Sequence, residues 1–394
     1  MSDSETIFKM RIAMIGIKAI PARFGGFETA VDHLSRGLVK LGHDVTVYNR
    51  SGMSSQEGDS YEGVHLVTLP TLKSKNLSTI FHAFVSTLHA LVHRVDVVHY
   101  FTTGTTLFAP LVRAAGMKAV CSVDGTDWQR AKWGGFARWY LRLSERLAVL
   151  FCNGLISDSR DVQRYYEQRF GVQSCCIPYG MRIPTTEATD VLQRFHLKSR
   201  EYVLFVGRLV PENNIHELIK AFEGVSTDKK LVIVGDDPWE RDYVRQLKST
   251  RDPRVVFTGA VYGDGYEQFQ RNAYVFVLPD EVGGTHPALV EAMGFGNCVI
   301  VNDTPSNLEV VGGAGFSYRG SERHRDLLAK LQMLVDRPDL VLEYRAMAHE
   351  RAQASYRWED VIDKHIVFYQ EQFRNKTKTA DKAVDVEKVV TGSN

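Results

Sequence analysis

Apolar and polar positions along this chain switch repeatedly between two patterns. Short continuous apolar runs, such as RIAMIGI at Arg11–Ile17, are bounded by glycine or polar residues and read as buried strands. Between them lie stretches with apolar positions three and four residues apart, which read as helices facing a core. The first such unit is strand Arg11–Ile17, a loop KAIPARFGG, helix Phe27–Leu41 stopped by Gly42, and strand Asp44–Tyr48. Ser51–Gly63 is polar and reads as a loop. Strands at His65–Leu69, Asp96–Tyr100, Ala119–Val123 and Gly154–Ser157 then alternate with helices at Leu77–Val92, Thr105–Ala115, Phe136–Phe151 and Arg160–Phe170. IPYGMRIP, Ile177–Pro184, interrupts the alternation with two prolines and a glycine, and the pattern restarts. Strands Tyr202–Val206, Lys230–Val234, Val255–Phe257, Tyr274–Leu278 and Asn297–Asn302 are interleaved with helices Ile215–Phe222, Glu240–Ser249 and Tyr266–Asn272. Helices Arg325–Asp336, Leu340–Ser355 and Trp358–Phe373 follow, and the charged segment from Asn375 has the composition of a disordered tail. The fold class is therefore α/β, with two doubly wound parallel sheets. The expected domains are 1–182 and 183–357, then a terminal helix 358–374 and a disordered tail 375–394.

Composition narrows the classes. With 394 residues and 44% hydrophobic content, the chain can bury two cores. Its 48 basic and 47 acidic residues leave a net charge of +1, which gives no footing for nucleic-acid binding. Five cysteines, without metal-ligand spacing, fit a reduced compartment. The longest apolar candidate, Thr79–His99, is broken by His82, His89, His93, Arg94 and Asp96, short of the roughly 18 apolar residues a membrane span needs. The expected location is cytoplasmic, with contact at the inner membrane surface open. That contact would fall on the helix Phe136–Phe151, where Arg138, Arg142 and Arg146 recur every four residues among Trp139, Tyr140, Leu143 and Leu147. Such a helix either lies on an anionic membrane or has an aromatic core face and a solvated charged face.

The candidate chemistry sits where strands end. LPDEVGGTHPALVEAMGFG, Leu278–Gly296, reads as strand end, glycine loop and helix. Gly283 and Gly284 permit close approach, Thr285 can cap the helix, and Pro287 suits its first turn. A helix opened this way is an anion site. Glu291, one turn in, is better placed to accept hydrogen bonds from neutral hydroxyls than to meet a phosphate, so the combination suggests a sugar nucleotide; an ordinary loop-to-helix turn is the alternative. GRLVPENN carries Arg208, whose guanidinium matches phosphate, or is a surface arginine. Gly25 and Gly26 open a helix after the first strand, flanked by Lys18 and Arg23. A nicotinamide site would want G-x-G-x-x-G and an acid after the second strand. Here there is one glycine pair, followed at the strand's end by Asn49 and Arg50. Asp124 and Asp127 in VDGTDW either bind hydroxyls, act as a base, or cap the next helix. His82, His89 and His93 lack a zinc arrangement and read as a polar helix face. No Asp-x-Asp, Walker or GxSxG pattern occurs.

Together these segments resemble the retaining glycosyltransferases of family 4, which have the GT-B architecture of two facing Rossmann-like domains. The likeness runs from about Arg11 to Phe373 and is carried by IGIKAIPARFGGFET with LGHDVTVYNR, DGTDWQRAKWGGFARWYL, GRLVPENN and VGGTHPALVEAMGFG, in the family's order. The second segment is similar to a subgroup of bacterial polysaccharide enzymes that includes rhamnosyltransferases. The resemblance implies hexosyl transfer, rhamnosyl included, from a nucleotide diphosphate sugar to a hydroxyl of a lipid-linked saccharide, with retention, by a front-face route, and with no metal or cofactor. It implies that Gly25 and Gly26 touch the donor diphosphate through backbone N–H, that Arg208 pairs with it, and that Glu291 holds the ribose. Gly284 and Thr285 would complete the donor loop. Asp124 stands where the family has a histidine, and the acceptor would enter near Asp124, Thr126, Trp128 and His99. The last helix would cross back to the first domain. Two further departures stand out. Gly283 occupies the position of the family's first glutamate, with Glu281 two residues earlier as a substitute. Asn213 and Asn214 occupy the region of a usual lysine. Competing readings are a sugar-nucleotide epimerase of the same architecture and a non-catalytic sugar-nucleotide-binding protein.

Overall fold

A computed structural model of the chain describes residues 9–22, 25–54, 56, 58–72, 74, 77–123, 128, 134–183 and 185–374. These form two compact units. The first runs to Ile177 and takes in the chain again from Trp358; the second is Pro178–Arg357.

The first unit holds strands β1 (Arg11–Ile15), β2 (Asp44–Arg50), β3 (Ser60–Tyr61), β4 (Val64–Leu69), β5 (Val97–Phe101), β6 (Lys118–Val123), β7 (Gly154–Ser157) and β8 (Cys175–Cys176). Their order is β3-β4-β2-β1-β5-β6-β7-β8, parallel throughout except for β3 against β4. Helices α1 (Gly26–Lys40), α2 (Leu77–Val92), α3 (Ala109–Ala114), α4 (Gly135–Phe151) and α5 (Arg160–Phe170) connect the strands. Helices cover both faces, so the central strands read as unbroken apolar runs; every residue of β5 is buried.

Three local expectations change. The predicted loop Ser51–Gly63 contributes the short strand β3. The predicted helix Thr105–Ala115 is a 3-10 segment, Thr103–Phe108, followed by α3. There Thr105 Oγ1 donates to the carbonyl of Thr102 (2.8 Å) and Thr106 Oγ1 to that of Thr103 (2.7 Å), and Pro110 restarts the helix as a first-turn residue. Strand β2 runs two residues past its predicted end, because Asn49 and Arg50 are buried there as polar clamps.

The second unit begins with α6 (Asp190–Arg194). It then alternates β9 (Tyr202–Val206), α7 (Ile215–Glu223), β10 (Lys230–Val234), α8 (Arg241–Leu247), β11 (Val255–Gly259), α9 (Asp264–Asn272), β12 (Val275–Leu278), α10 (Pro287–Gly294), β13 (Cys298–Asn302), α11 (Pro305–Val311) and β14 (Phe316–Tyr318), and ends in α12 (His324–Asp336) and α13 (Pro338–Ser355). The sheet is parallel in the order β11-β10-β9-β12-β13-β14. In each sheet the winding reverses once, between β1 and β5 and between β9 and β12. Loops at the carboxyl ends of such reversals form the usual ligand crevice of open α/β sheets.

The last helix, α14 (Trp358–Arg374), belongs to the first unit. Val361, Ile362, Phe368 and Tyr369 share a core with Ile12, Met14, Leu34, Leu38 and Val97. Glycines let it lie close. A Cβ on Gly37 of α1 would stand 2.1 Å from Ile362 Cδ1, and one on Gly154 of β7 would stand 2.7 Å from Phe368 Cζ.

Candidate active site

In the second unit, two loops meet at the carboxyl ends of β9 and β12. The loop after β9 carries Arg208, which is exposed and makes no ion pair or side-chain hydrogen bond among the described residues. Its backbone is pinned instead: Asn213 Nδ2 donates to the Arg208 carbonyl (2.9 Å). Asn214, at φ +51°, turns the chain and donates from Nδ2 to the Pro279 carbonyl (3.1 Å). That carbonyl also accepts from Asn302 Nδ2 (3.3 Å) and the Tyr318 hydroxyl (3.4 Å). Asn213 and Asn214, in the region of the family's lysine, thus tie the arginine loop to the loop after β12.

The second loop, Pro279–His286, delivers α10. Its helix starts at Pro287, so the residue in the cap position is His286 rather than Thr285, and no side chain caps it. Pro287 fixes this register by taking the first helical position, where its missing N–H costs nothing. Gly284 and Thr285 are buried, and Gly283 takes φ +146°. Glu281 is exposed and lines a polar cleft of about 140 Å³ with Asn214, His216, Glu217, Asn302, Tyr318 and Arg323. Neither Gly283 nor Glu291 lines that cleft.

Glu291, one turn into α10, is 4% exposed. The Tyr266 hydroxyl, from α9, donates to its Oε2. Burial raises the pKa of Glu291, while the charge of Arg182 and the Tyr266 hydroxyl pull it down. Burial, with Glu291 alongside, holds the Tyr266 phenol well above its ordinary pKa, which keeps the proton on tyrosine and makes it the donor. The chain of polar groups continues inward. Gln270 Nε2 donates to the Tyr266 oxygen (3.0 Å), Asn297 Nδ2 donates to Gln270 Oε1 (3.2 Å), and Arg345 reaches Asn297 Oδ1 (3.4 Å). The carboxylate expected to hold a ribose is therefore braced from behind by a buried network. Nothing in sequence spacing connects residue 266 to 291; only the Tyr266–Gln270 separation of one helical turn was visible.

In the first unit the corresponding end is that of α1. Gly25 is its cap residue and Gly26 its first helical residue, with no side-chain cap on the open N–H groups. The preceding loop is clamped by acids and amides. Glu28 Oε1 accepts from the Lys18 N–H (3.1 Å), Asp32 Oδ2 from the Ala22 N–H (2.8 Å), and Asn49 Oδ1 from the Ile20 N–H (3.0 Å). Arg50 Nε donates to the Ile17 carbonyl (3.2 Å). Burial lowers the Arg50 pKa, and the charge of Glu28 counters it. Asn49 and Arg50, which argue against a dinucleotide unit in sequence, hold the glycine loop in place.

The acceptor-side residues separate. Asp124, Thr126 and Asp127, and the flanking Arg23, lie outside the described residues. Trp128 is half-buried; its Nε1 donates to the Tyr165 hydroxyl (3.3 Å), and the Arg142 guanidinium lies 4.1 Å from its ring centre. His99 corrects an expectation, because it is fully buried. Its Nδ1 pairs with the Tyr369 hydroxyl of α14 (2.7 Å) and its Nε2 with Ser122 Oγ (2.8 Å), while burial beside His365 holds its pKa well below the ordinary histidine value. It joins the last helix to the sheet and presents nothing to an acceptor. The histidines of α2 are likewise engaged: His82 is buried with Nε2 on the Asn49 carbonyl (3.1 Å), so it is no part of a polar face, and His89 pairs with the Tyr48 hydroxyl (3.1 Å). No group of metal-ligating side chains occurs among the described residues.

Comparison with known proteins places these features. Residues 24–181 match the sequence model of "Glycosyltransferase Family 4", and residues 200–337 that of "Glycosyl transferases group 1". The chain is 30% identical over 148 residues to an O-antigen chain mannosyltransferase of Escherichia coli; the match spans 36% of this chain and 39% of that protein. It is 26% identical over 331 residues to a glycosyltransferase of Methanocaldococcus jannaschii, spanning 77% and 83% of the two chains. The fold matches that of Anabaena HepE, solved in complex with UDP and glucose, with a TM-score of 0.76, 18% identity, and 92% and 100% of the chains covered. Two α/β units, each with a glycine loop leading into a helix, and family matches across both make this chain a member of the family 4 glycosyltransferases with the GT-B fold.

Proposed function

We propose that this protein transfers a hexosyl group from a nucleotide diphosphate sugar to a hydroxyl of a lipid-linked saccharide, with retention of configuration and without a metal. The observation that carries the reading is Arg208: a fixed positive charge, exposed and unpaired among the described residues, at the carboxyl end of β9 where two loops converge. A guanidinium so placed is a phosphate ligand. The uncapped end of α10 offers further N–H donors. Glu291 would accept from ribose hydroxyls. As the bond from the sugar's anomeric carbon to the diphosphate oxygen breaks, the acceptor oxygen bonds the same carbon from the same face. The acceptor proton passes to the departing phosphate oxygen. Arg208 and the backbone donors stabilise the charge that develops there. HepE was solved with UDP and glucose, and the Escherichia coli relative is named for O-antigen mannosyl transfer, which supports a sugar-nucleotide donor and a polysaccharide product. The subgroup likeness around Trp128 favours rhamnosyl among hexoses.

A membrane-borne acceptor is supported by one face of the first unit. No helix among the described residues is long and apolar enough to cross a membrane. Yet Leu77, Phe84, Leu88 and Val92 of α2, Leu107 and Leu111 of the segment leading through α3, and Trp139 of α4 are exposed. Arg138, Arg142 and Arg146 of α4 are exposed with them. Apolar side chains beside arginines suit the surface of an anionic bilayer.

The test is a thermal-shift screen against UDP, GDP, ADP and dTDP, each free and as a hexose conjugate. One base series should stabilise the second unit, and the conjugate of that series should donate its sugar to a lipid-linked acceptor with the anomeric configuration retained. Stabilisation by none of them would overturn the reading.

A further inference from the structure

The polar cleft of about 140 Å³ in the second unit is lined by neither Arg208 nor Glu291. It is built around one carbonyl. That of Pro279 accepts from Asn214 Nδ2 (3.1 Å), Asn302 Nδ2 (3.3 Å) and the Tyr318 hydroxyl (3.4 Å). A carbonyl can only accept, so both amides must turn their nitrogens to it, and their oxygens are left over. Asn214 is 9% exposed and Asn302 3%, yet neither Oδ1 has a partner among the described residues, and neither atom is sealed away from the surface. Buried amide oxygens without a partner are uncommon, because each forfeits a hydrogen bond it made in water. The Tyr318 phenol cannot supply one. Burial, with Asp280, Glu281 and Glu217 nearby, raises its pKa, so its single proton stays and is committed to Pro279. The exposed Glu281 carboxylate, at the same cleft, also makes no hydrogen bond or ion pair among the described residues.

Three acceptors at one cleft want a ligand rich in donors. A metal ion does not fit, since no group of metal-ligating side chains occurs among the described residues. A simple cation fits poorly, because the lining is not uniformly acidic. Glu217 is already engaged, with Oε2 on His324 Nδ1 (2.9 Å) and Oε1 3.5 Å from Arg323. Arg323, 71% exposed, puts a positive donor on the lining as well. The hydroxyls of a sugar ring donate to the amide and carboxylate oxygens and accept from a guanidinium, and a few fixed polar groups suffice to orient a ring. We propose that this cleft is a saccharide subsite separate from the donor site, holding one ring of a saccharide substrate through Asn214 Oδ1, Asn302 Oδ1 and the Glu281 carboxylate, with Arg323 beside them. Glu281 then serves this cleft and does not replace the family's first glutamate. The choice of a saccharide as ligand rests on the acceptor proposed above.

Two measurements on the full chain keep the sites apart. Saturation-transfer NMR uses the methyl α-glycosides of rhamnose, mannose, glucose and galactose as probes of the cleft. Calorimetry with UDP-glucose, GDP-mannose, ADP-glucose and dTDP-rhamnose follows the donor site. At least one glycoside should bind, and it should stay bound when the nucleotide sugar is present at saturation. Glu281→Ala and Asn302→Ala should each weaken the glycoside about tenfold, the effect of one lost hydrogen bond, and change the nucleotide sugar by less than about twofold. Glu281→Gln, which keeps an acceptor oxygen, should recover part of the loss. If Asn302→Ala does not fold, Glu281→Ala carries the test from an exposed position. Binding of no glycoside, its displacement by the nucleotide sugar, an affinity that Glu281→Ala leaves unchanged, or equal weakening of both ligands overturns the subsite and leaves the donor reading standing. Binding of no nucleotide sugar overturns the donor reading, and the glycoside measurements still decide the subsite.

Discussion

Replacing Tyr266 by phenylalanine removes one oxygen from the network behind Glu291 and nothing else. Both residues are buried, Tyr266 at 7% and Glu291 at 4% exposure. A buried hydrogen bond to a charged acceptor contributes about 1.5–3 kcal/mol. Gln270, fully buried, also loses the acceptor of its Nε2, which costs about 1–3 kcal/mol if no other partner replaces it. The two effects share one oxygen, so about 2–4 kcal/mol is expected at neutral pH. The loss should depend on pH in a defined direction. Burial already raises the pKa of Glu291, and the phenol is one of the two groups lowering it. Without it the folded-state pKa rises further above the unfolded value, so stability falls more steeply as pH rises through that window. Below the ordinary carboxyl pKa of about 4.3, Glu291 is protonated in both states and the charge-dependent part of the loss vanishes. Urea unfolding of both proteins between pH 4 and 8 reads this directly. A loss under about 0.5 kcal/mol at pH 7, or an equal loss at both ends, would show that Tyr266 does not hold an ionised Glu291. Donor affinity should fall in the same variant, because the carboxylate loses its orientation as well as its partner.

Arg208→Ala should lower the transfer rate about 10²–10³-fold with the fold intact, by loss of charge stabilisation on the leaving diphosphate; a wild-type rate would remove Arg208 from the site. Activity should survive excess chelator, and a loss restored by Mg²⁺ would refute the metal-free route. Gly37→Ala should destabilise the protein by about 1–3 kcal/mol, because the new methyl collides with Ile362 Cδ1. Adding Ile362→Val, which deletes that atom, should recover part of the loss; a stabilised Gly37→Ala protein, as at an exposed helix site, would contradict the packing.

The strands and helices were legible because a parallel sheet covered on both faces writes itself as apolar runs between amphipathic stretches. Strands β3 and β14 and helices α6 and α11 were not, since two to seven residues leave too little period to detect. Arg208 and the glycine loops could be named as candidates because their chemistry is local in sequence. The residues that fix their geometry could not. Tyr266 reaches Glu291 from another helix, and Asn49 reaches Ile20 across two elements. His99 shows the converse error: a histidine within a strand near the ligand side of the sheet looks available until Tyr369, 270 residues later, closes over it.

That closure has a consequence for how the protein is made. The first unit needs α14 for its core, yet α14 is the last described element to leave the ribosome. At about 5–20 residues per second, synthesis of the second unit interposes roughly 10–40 s during which Ile12, Met14 and Leu34 lack their covering helix. The second unit is contiguous, so it can fold before the first one finishes. A message cut short just before Trp358 therefore yields a chain that still carries the whole second unit but leaves the first with an open apolar groove, a natural mark for chaperones and proteases.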